Sequence, residues 1–214
     1  MNRRCAVIVM AKAPVPGYAK TRLQPALGAD GAARLAERLL ALTVEQAVAA
    51  GVGPVELCCA PDETHAAFAR MAAQHGVALT RQGEGDLGQR MARALERSLD
   101  VHGRAVMIGT DAPQLDAAYL RAARDALVTH DAVFGPALDG GYVLVGLGRA
   151  APALFEGIAW STPQVMSATR ARLAELVLKH HELPALADID EPADLIHLPA
   201  AWRPAAAPPV QGAA

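Results

Sequence analysis

The chain has 214 residues, 52% of them hydrophobic, and a formal net charge of −2. This length and composition suffice for one substantial core, so we expect a single domain over residues 1–198. The small net charge excludes the strongly basic surface that binds nucleic acid, and the apolar runs are too short to cross a bilayer, so we expect neither as a partner.

Short apolar runs alternate with amphipathic segments along the chain. The runs predict strands over 6–10, 55–60, 77–80, 105–108, 132–134 and 142–147. Leucines at helical spacing predict helices over 30–50, 86–100, 117–129 and 162–179. This alternation favours an α/β fold with a mostly parallel sheet covered on both faces. Ligands of such sheets bind at the carboxyl ends of the strands, so the residues after each strand are the candidate site.

The loop after the first predicted strand is rich in proline and positive charge. It contains Lys12, Lys20 and Arg22, and thus two of the protein's three lysines, although the chain has 20 basic residues. A compact ammonium suits some positions better than a planar guanidinium does. Cations and a glycine, Gly17, at the carboxyl end of a buried strand are typical of a phosphate-binding loop. A solvated basic loop is the alternative.

A glycine-rich turn, residues 82–88, follows the third predicted strand and leads into a helix. Its backbone N–H groups could bind a base or a phosphate, which makes Gly83 and Gly88 candidate nucleotide-binding residues. A purely structural turn explains the glycines equally well.

Asp111 is the strongest candidate metal ligand. It directly follows the fourth predicted strand in a Gly-Thr-Asp-Ala-Pro turn. Mg²⁺ is bound in proteins by one or two carboxylates and takes further ligands from phosphate and water. The competing interpretation is a helix cap, because a predicted helix begins shortly afterwards.

A tight turn between the fifth and sixth strands contains Asp139, Gly140 and Gly141. Two glycines allow positive φ angles and a close approach of the backbone to a ligand, so all three are candidate nucleotide-binding residues. An ordinary hairpin would explain the glycines without any role for the aspartate.

A second source of carboxylates is the segment from Asp188 to Asp190. Residues two apart on an extended segment point the same way, so either aspartate could complete a metal site with Asp111 if the chain end folds back across the sheet. We favour Asp190, although it too precedes a predicted helix and could be a cap.

Two further features of the sequence, its cysteines and its last residues, lie outside the candidate site. Cys5, Cys58 and Cys59 form neither an even framework nor a C-x-x-C pair, which favours reduced thiols in a cytoplasmic protein. The segment 199–214 is almost entirely alanine and proline, and we expect a disordered tail.

Six segments between residues 11 and 195 together resemble a known family: AKAPVPGYAKTRL, GEGDLGQRM, GTDAPQL, GPALDGGYVLVGL, WSTPQV and DIDEPADL. They resemble the GT-A-fold nucleotide-diphospho-sugar transferase superfamily, and within it the rSAM/selenodomain-associated transferase 1 type. That type is similar to phospholactate and molybdenum-cofactor guanylyltransferases. The resemblance implies a three-layer αβα sandwich with a mixed sheet. It also implies a nucleotide over the first loop, Lys20 and Arg22 on its phosphates, and Mg²⁺ or Mn²⁺ at Asp111 and Asp190.

Three functions remain open. The favoured one is nucleotidyl transfer from an NTP to a phosphorylated small-molecule acceptor with release of pyrophosphate, catalysed by Lys20, Arg22 and Asp111. Glycosyl transfer from a nucleotide-sugar is the alternative. It is less favoured because the D-x-D that such enzymes usually carry after the fourth strand is replaced here by Thr110-Asp111. A non-catalytic nucleotide-binding protein is third, because the first loop is poor in glycine. Acceptor, base and oligomeric state stay open.

Overall fold

The computed structural model describes residues 5–203. Seven strands alternate with five helices along the chain. The strands are β1 (Cys5–Lys12), β2 (Val55–Ala60), β3 (Ala78–Arg81), β4 (Arg104–Ile108), β5 (Ala132–Pro136), β6 (Tyr142–Leu147) and β7 (His180–Glu182). The helices are α1 (Gln24–Ala50), α2 (Ala66–His75), α3 (Leu87–His102), α4 (Ala117–Ala126) and α5 (Val165–Glu175). Short 3₁₀ helices cover Thr21–Leu23, Pro152–Phe155, Pro192–His197 and Ala200–Trp202.

The strands form one sheet in the order β3-β2-β1-β4-β6-β5-β7. β1 pairs in parallel with β2 and with β4, and β2 pairs in parallel with β3. β6 is antiparallel to both of its neighbours, β4 and β5, whereas β7 runs parallel to β5. The predicted fold is therefore confirmed: the sheet is mostly parallel and mixed. The carboxyl ends of β1, β4 and β5 meet the amino end of β6 at one edge.

Two apolar cores, one on each face of the sheet, give the molecule its three layers. Side chains alternate along β1, so that Val7 and Val9 pack with α1, α2 and α4 while Ile8 packs with α3 and α5. A smaller third cluster joins α1, and Leu23 just before it, to the segment 189–198 through Leu39 and Ile189. Burial on both faces explains why these strands read as continuous apolar runs.

Two elements went unpredicted, α2 and β7. α2 is short, and Phe68 and Met71 are its only large buried side chains, too few to produce a helical pattern. β7 has the sequence His-His-Glu, and its side chains are exposed or half-buried at the edge of the sheet. α1 begins before the predicted Asp30, because a first turn precedes a kink at Gly28, where φ is +69°.

The predicted tail, 199–214, falls mainly outside the described residues. Of the part that is described, Ala200–Trp202 forms a 3₁₀ helix, and the guanidinium of Arg38 lies 4.1 Å from the centre of the Trp202 ring. Cys5, Cys58 and Cys59 are free and buried thiols, as expected. Within residues 5–203, no helix has the length and hydropathy needed to cross a membrane.

Candidate functional site

A cavity of about 480 Å³ opens at the carboxyl edge of β1 and β4, next to the β5–β6 turn. Four segments that are far apart in the sequence contribute its charged side chains. These are Lys12, Lys20, Arg22, Asp111, Asp139, Asp188 and Asp190. The structure thus brings together every charged residue that the sequence predicted for the site.

Lys20 lies at the centre of this charged group. Its Nζ is 2.6 Å from Oδ1 of Asp111 and 3.1 Å from Oδ1 of Asp190, and it also donates to the backbone carbonyl of Ile189. The Lys20 side chain is only 6% exposed, whereas the two carboxylates are about two-fifths exposed. Burial opposes the charge of Lys20, but the two carboxylates outweigh it and raise the pKa of Lys20 above its ordinary value.

Asp111 occupies the tip of β4 and is not a helix cap. The N-cap of α4 is Asp116, whose Oδ1 accepts a hydrogen bond from the backbone N–H of Tyr119 at 2.8 Å. The Asp111 carboxylate therefore faces the cavity, where its closest partner is the ammonium of Lys20. This geometry removes the capping interpretation, which was the main alternative to a metal ligand.

Asp190 reaches the same edge because the chain end folds back across the sheet. The backbone N–H of Ile189 donates to the carbonyl oxygen of Asp111 at 2.8 Å. The 3₁₀ helix Pro192–His197 is capped by Glu191 and Asp194, which form a reciprocal capping box. The side chain of Asp190 is therefore free to contact Lys20, and capping does not explain it either.

Asp188 is the second carboxylate of this segment, and it lines the cavity as well. Burial, reinforced by the charge of nearby Asp139, raises the pKa of Asp188 to about 6. Its position beside Asp139 sets it apart from Asp190, which contacts Lys20. Of the two aspartates in this segment, Asp190 is the one that contacts Lys20, and its role as a metal ligand stays a prediction.

The remaining residues of the first loop differ in their relation to the cavity. Arg22 lines it with a side chain that is 59% exposed, and its closest carboxylate oxygen is that of Glu191, at 3.9 Å. Lys12 ends β1 as an exposed lining residue. Gly17 has a φ angle of +81° and turns the chain just before Tyr18, which lines the cavity although Gly17 does not. Two exposed cations, Lys12 and Arg22, therefore line the cavity beside the buried Lys20.

The glycine-rich turn before α3 has structural roles that account for its glycines. A Cβ on Gly88 would lie 2.7 Å from the carbonyl oxygen of Phe155 and 2.8 Å from Nε1 of Trp160, so this position packs tightly. Gly83 has a positive φ angle in a turn whose carbonyls are bound by the guanidinium of Arg93. Neither glycine lines the cavity. The nucleotide-binding role of Gly83 and Gly88 stays a prediction.

Gln82, just before the glycines of this turn, lines the cavity. No contact of its side chain was predicted from the sequence. It is 6% exposed, and its Nε2 donates to the backbone carbonyls of Ala11 and Cys58, both at 3.1 Å. These two bonds tie the end of β3 to the ends of β1 and β2. This role depends on contacts between strand ends, and no local pattern in the sequence indicated it.

The β5–β6 turn combines a supporting glycine with an exposed carboxylate. Gly140 has a φ angle of +93°, and a Cβ there would lie 2.1 Å from the carbonyl oxygen of Pro163. Asp139 accepts a hydrogen bond from the backbone N–H of Gly141 at 2.8 Å, and both of these residues line the cavity. Gly140 itself does not line it; it allows the turn to pack against the segment before α5.

An aromatic wall closes the cavity beside this turn. The ring of Tyr142 makes edge contacts with Phe134 at 5.2 Å and with Trp160 at 6.3 Å between ring centres. Burial raises the pKa of Tyr142 above its ordinary range. Its hydroxyl is shielded from solvent and has no hydrogen-bond partner among the described residues. From the sequence, Tyr142 was predicted only as a strand residue.

The donor set fits a divalent cation of the magnesium type. Asp111 and Asp190 each place an oxygen within 3.1 Å of one shared cationic atom, Nζ of Lys20. No cluster of three or more His, Cys, Asp or Glu side chains suited to a metal occurs within residues 5–203. Two carboxylates without a third protein ligand are what Mg²⁺ uses when phosphate and water complete its coordination.

A family model matches residues 43–162, more than half of the chain. The protein belongs to the family described as "Uncharacterized protein conserved in bacteria (DUF2064)". The matched range includes the glycine-rich turn, Asp111 and the β5–β6 turn. No curated protein of known function matches the chain.

Solved structures share the fold over most of their length. A protein from Desulfovibrio desulfuricans G20 assigned as a nucleotide-diphospho-sugar transferase is 28% identical, with a TM-score of 0.79 over 87% of this chain and 82% of its own. The 4-diphosphocytidyl-2C-methyl-D-erythritol synthase of Anaerococcus prevotii DSM 20548 is 10% identical, with a TM-score of 0.61 over 91% and 96%. The glucosyl-3-phosphoglycerate synthase of Mycobacterium tuberculosis, solved with Mn²⁺ and UDP, is 11% identical, with a TM-score of 0.56 over 91% and 75%. The last two, being so distant in sequence, bear on the fold alone.

Proposed function

We propose that the protein is a transferase that uses a nucleotide donor and a divalent cation, Mg²⁺ or Mn²⁺. The observation that carries the proposal is the convergence of Lys20, Asp111 and Asp190 at the carboxyl edge of the sheet. Two carboxylates and a neighbouring set of cations are the parts that a metal-bound polyphosphate needs. The 28% identical transferase, which has the same fold, supports this proposal. The motif resemblance to the rSAM/selenodomain-associated transferase 1 type is our assignment within the superfamily.

The reaction that we favour is nucleotidyl transfer. An oxygen of the acceptor, a phosphorylated small molecule in the favoured case, attacks the α-phosphorus of an NTP. A new P–O bond forms as the bond to the bridging oxygen breaks, and pyrophosphate leaves. Lys20 and Arg22 would stabilise the charge that develops on the leaving phosphates, by position and by field. A divalent cation held by Asp111 and Asp190 would neutralise phosphate charge. Lys12 would extend the cationic side of the cavity.

Two observations favour glycosyl transfer from a nucleotide-sugar as the second candidate. The first is the D-x-D segment at Asp188 and Asp190. It lies late in the sequence, but its hydrogen bond to the Asp111 turn places it after the fourth strand in space, where glycosyltransferases of this fold usually carry a D-x-D. The wall opposite the first loop carries Asp139 and Asp188, and no lysine or arginine lines the cavity outside the first loop within residues 5–203. Carboxylates accept hydrogen bonds from hydroxyl groups, which suits a hydroxyl-bearing acceptor.

A donor screen tests the proposal and separates its two forms. The purified protein is incubated with each NTP and each of several nucleotide-sugars, with Mg²⁺, Mn²⁺ or EDTA, and with pools of phosphorylated and unphosphorylated acceptors. Metal-dependent release of pyrophosphate supports nucleotidyl transfer, and release of a nucleoside diphosphate supports glycosyl transfer. Tight nucleotide binding without release of either product would favour the non-catalytic alternative. We also propose a cytoplasmic location, since the three cysteines are free thiols.

A further inference from the structure

Lys20 is placed where a metal ion would have to bind. Its ammonium has three N–H donors and three oxygen acceptors, one each from Asp111, Asp190 and the Ile189 carbonyl. The group is thus fully satisfied by hydrogen bonds and is nearly closed off from solvent, with 6% of the side chain exposed. A divalent cation bound by the same two carboxylates would displace this ammonium or lie directly against it.

Two positive charges cannot share this position without a further anion. Like charges a few ångströms apart repel strongly where water is scarce, and two carboxylates alone leave most of the coordination of Mg²⁺ or Mn²⁺ to water. A nucleotide polyphosphate changes both conditions. It supplies further oxygen ligands to the metal, and it offers the displaced ammonium a new anionic partner at the same cavity.

The backbone of Lys20 indicates that its contacts hold the loop in place. Lys20 has φ +51° and ψ +41°, a left-handed conformation that is unfavourable for a residue with a side chain. It carries no side-chain cap for the 3₁₀ helix Thr21–Leu23 that follows. The ion pairs to Asp111 and Asp190 fix the side chain of this residue, so we expect that a change of partner for the ammonium would also move the first loop.

We propose that Lys20 is a tethered cation that occupies the metal position in the absence of nucleotide and moves to the phosphates when a donor binds. The identity of the donor in this inference rests on the proposed function. The competition between Lys20 and the metal does not depend on it. It predicts positive coupling: the metal binds weakly to the free protein and enters together with the nucleotide, because the polyphosphate removes the competing ammonium.

The first test measures Mn²⁺ binding by electron paramagnetic resonance without any nucleotide. Lys20→Met keeps a stem of similar length and removes the charge. We expect this variant to bind Mn²⁺ about tenfold more tightly than the unaltered protein, within the usual range of coupling between sites. Lys12→Met, which removes the same charge from another side of the cavity, corrects for the general field and should change the affinity much less. Equal or weaker binding by Lys20→Met would overturn the proposal.

The second test uses the unaltered protein, so it does not depend on the variant folding. The chain has three lysines, and each can be followed by mass spectrometry after brief treatment with acetic anhydride. Lys20 should react slowly relative to exposed Lys12 and Lys179, faster when Mn²⁺ is bound alone, and slowly again with Mn²⁺ and an NTP. Binding of Mn²⁺ that leaves Lys20 as protected as before would contradict the proposal. Since neither readout requires turnover, a donor screen without product would count against the proposed function alone.

Discussion

The backbone N–H of Ile189 donates a hydrogen bond to the carbonyl oxygen of Asp111 at 2.8 Å. This bond joins the segment 188–190 to the turn after β4, and the two are far apart in the sequence. It sets Asp188 and Asp190, on either side of Ile189, at the same edge as Asp111. This backbone contact therefore helps to hold Asp188 and Asp190 beside Asp111, whereas Asp139 comes from the β5–β6 turn and the cations come from the first loop.

The first prediction concerns Asp111. Asp111→Asn should lower kcat by about 10²–10³-fold in the metal-dependent reaction, because the amide is a poor ligand for Mg²⁺ and leaves Lys20 without the closer of its two carboxylate partners. Steady-state kinetics at varied Mg²⁺ would measure the effect. The melting temperature should fall as well, since the variant leaves the Lys20 ammonium, whose side chain is 6% exposed, without one of its two carboxylate partners.

Asp116→Asn is the matched control for that variant. Asp116 lies in the same connection and caps α4, and asparagine caps about as well as aspartate. Its kinetics should stay close to those of the unaltered protein. Full metal-dependent activity in Asp111→Asn would disprove the metal assignment.

Arg22 should contribute to donor binding more than to stability. Its side chain is 59% exposed, and its ion pair with Glu191 is loose, at 3.9 Å. Arg22→Ala should raise KM for the nucleotide several-fold and change the free energy of unfolding by about 0.5 kcal/mol or less, as usual for exposed charges. Arg149→Ala provides the comparison, because Arg149 is similarly exposed at 56% and pairs with Asp131 at the opposite edge of the sheet. A KM that rises equally in both variants would mean that Arg22 has no specific role.

The sheet and the identity of the charged site residues could be predicted because both leave local signals. Buried parallel strands appear as apolar runs, and the residues that follow them meet at one edge whatever their separation in sequence. β7 left no such signal, since its three polar residues join the sheet only through backbone pairing with β5. The contact of Lys20 with two carboxylates depends on how the chain end returns to β4, which no local pattern records. Gln82 and Tyr142 were missed because their roles arise from packing between loops.

Gly140 provides a prediction about packing. Gly140→Ala would combine a φ angle of +93° with a Cβ 2.1 Å from the carbonyl oxygen of Pro163. We expect a loss of about 2–4 kcal/mol in the free energy of unfolding, from left-handed strain together with overpacking against backbone. Gly51→Ala separates backbone strain from overpacking, because Gly51 has φ +63° and open space around its Cβ position. This variant should lose only about 1 kcal/mol in the free energy of unfolding. Urea denaturation would measure both. Equal losses would show that the turn shifts freely away from Pro163.

Asp188 should make the protein less stable as the pH rises. Burial and the charge of Asp139 raise its pKa from 3.8 to about 6, so between these values the folded state binds more protons than the unfolded state, and stability falls with increasing pH. The asparagine side chain in Asp188→Asn cannot ionise, so that variant does not lose stability in this way. Its stability relative to the unaltered protein should therefore be similar near pH 4 and should increase up to about pH 7. Urea denaturation at several pH values in EDTA would measure the difference.

Asp62→Asn tests the sign of this effect, because hydrogen bonds from Thr64 lower the pKa of Asp62. That variant should therefore lose stability relative to the unaltered protein as the pH rises through the acid range. A relative stability of Asp188→Asn that stays constant with pH would mean that Asp188 ionises in the folded protein as it does in the unfolded chain.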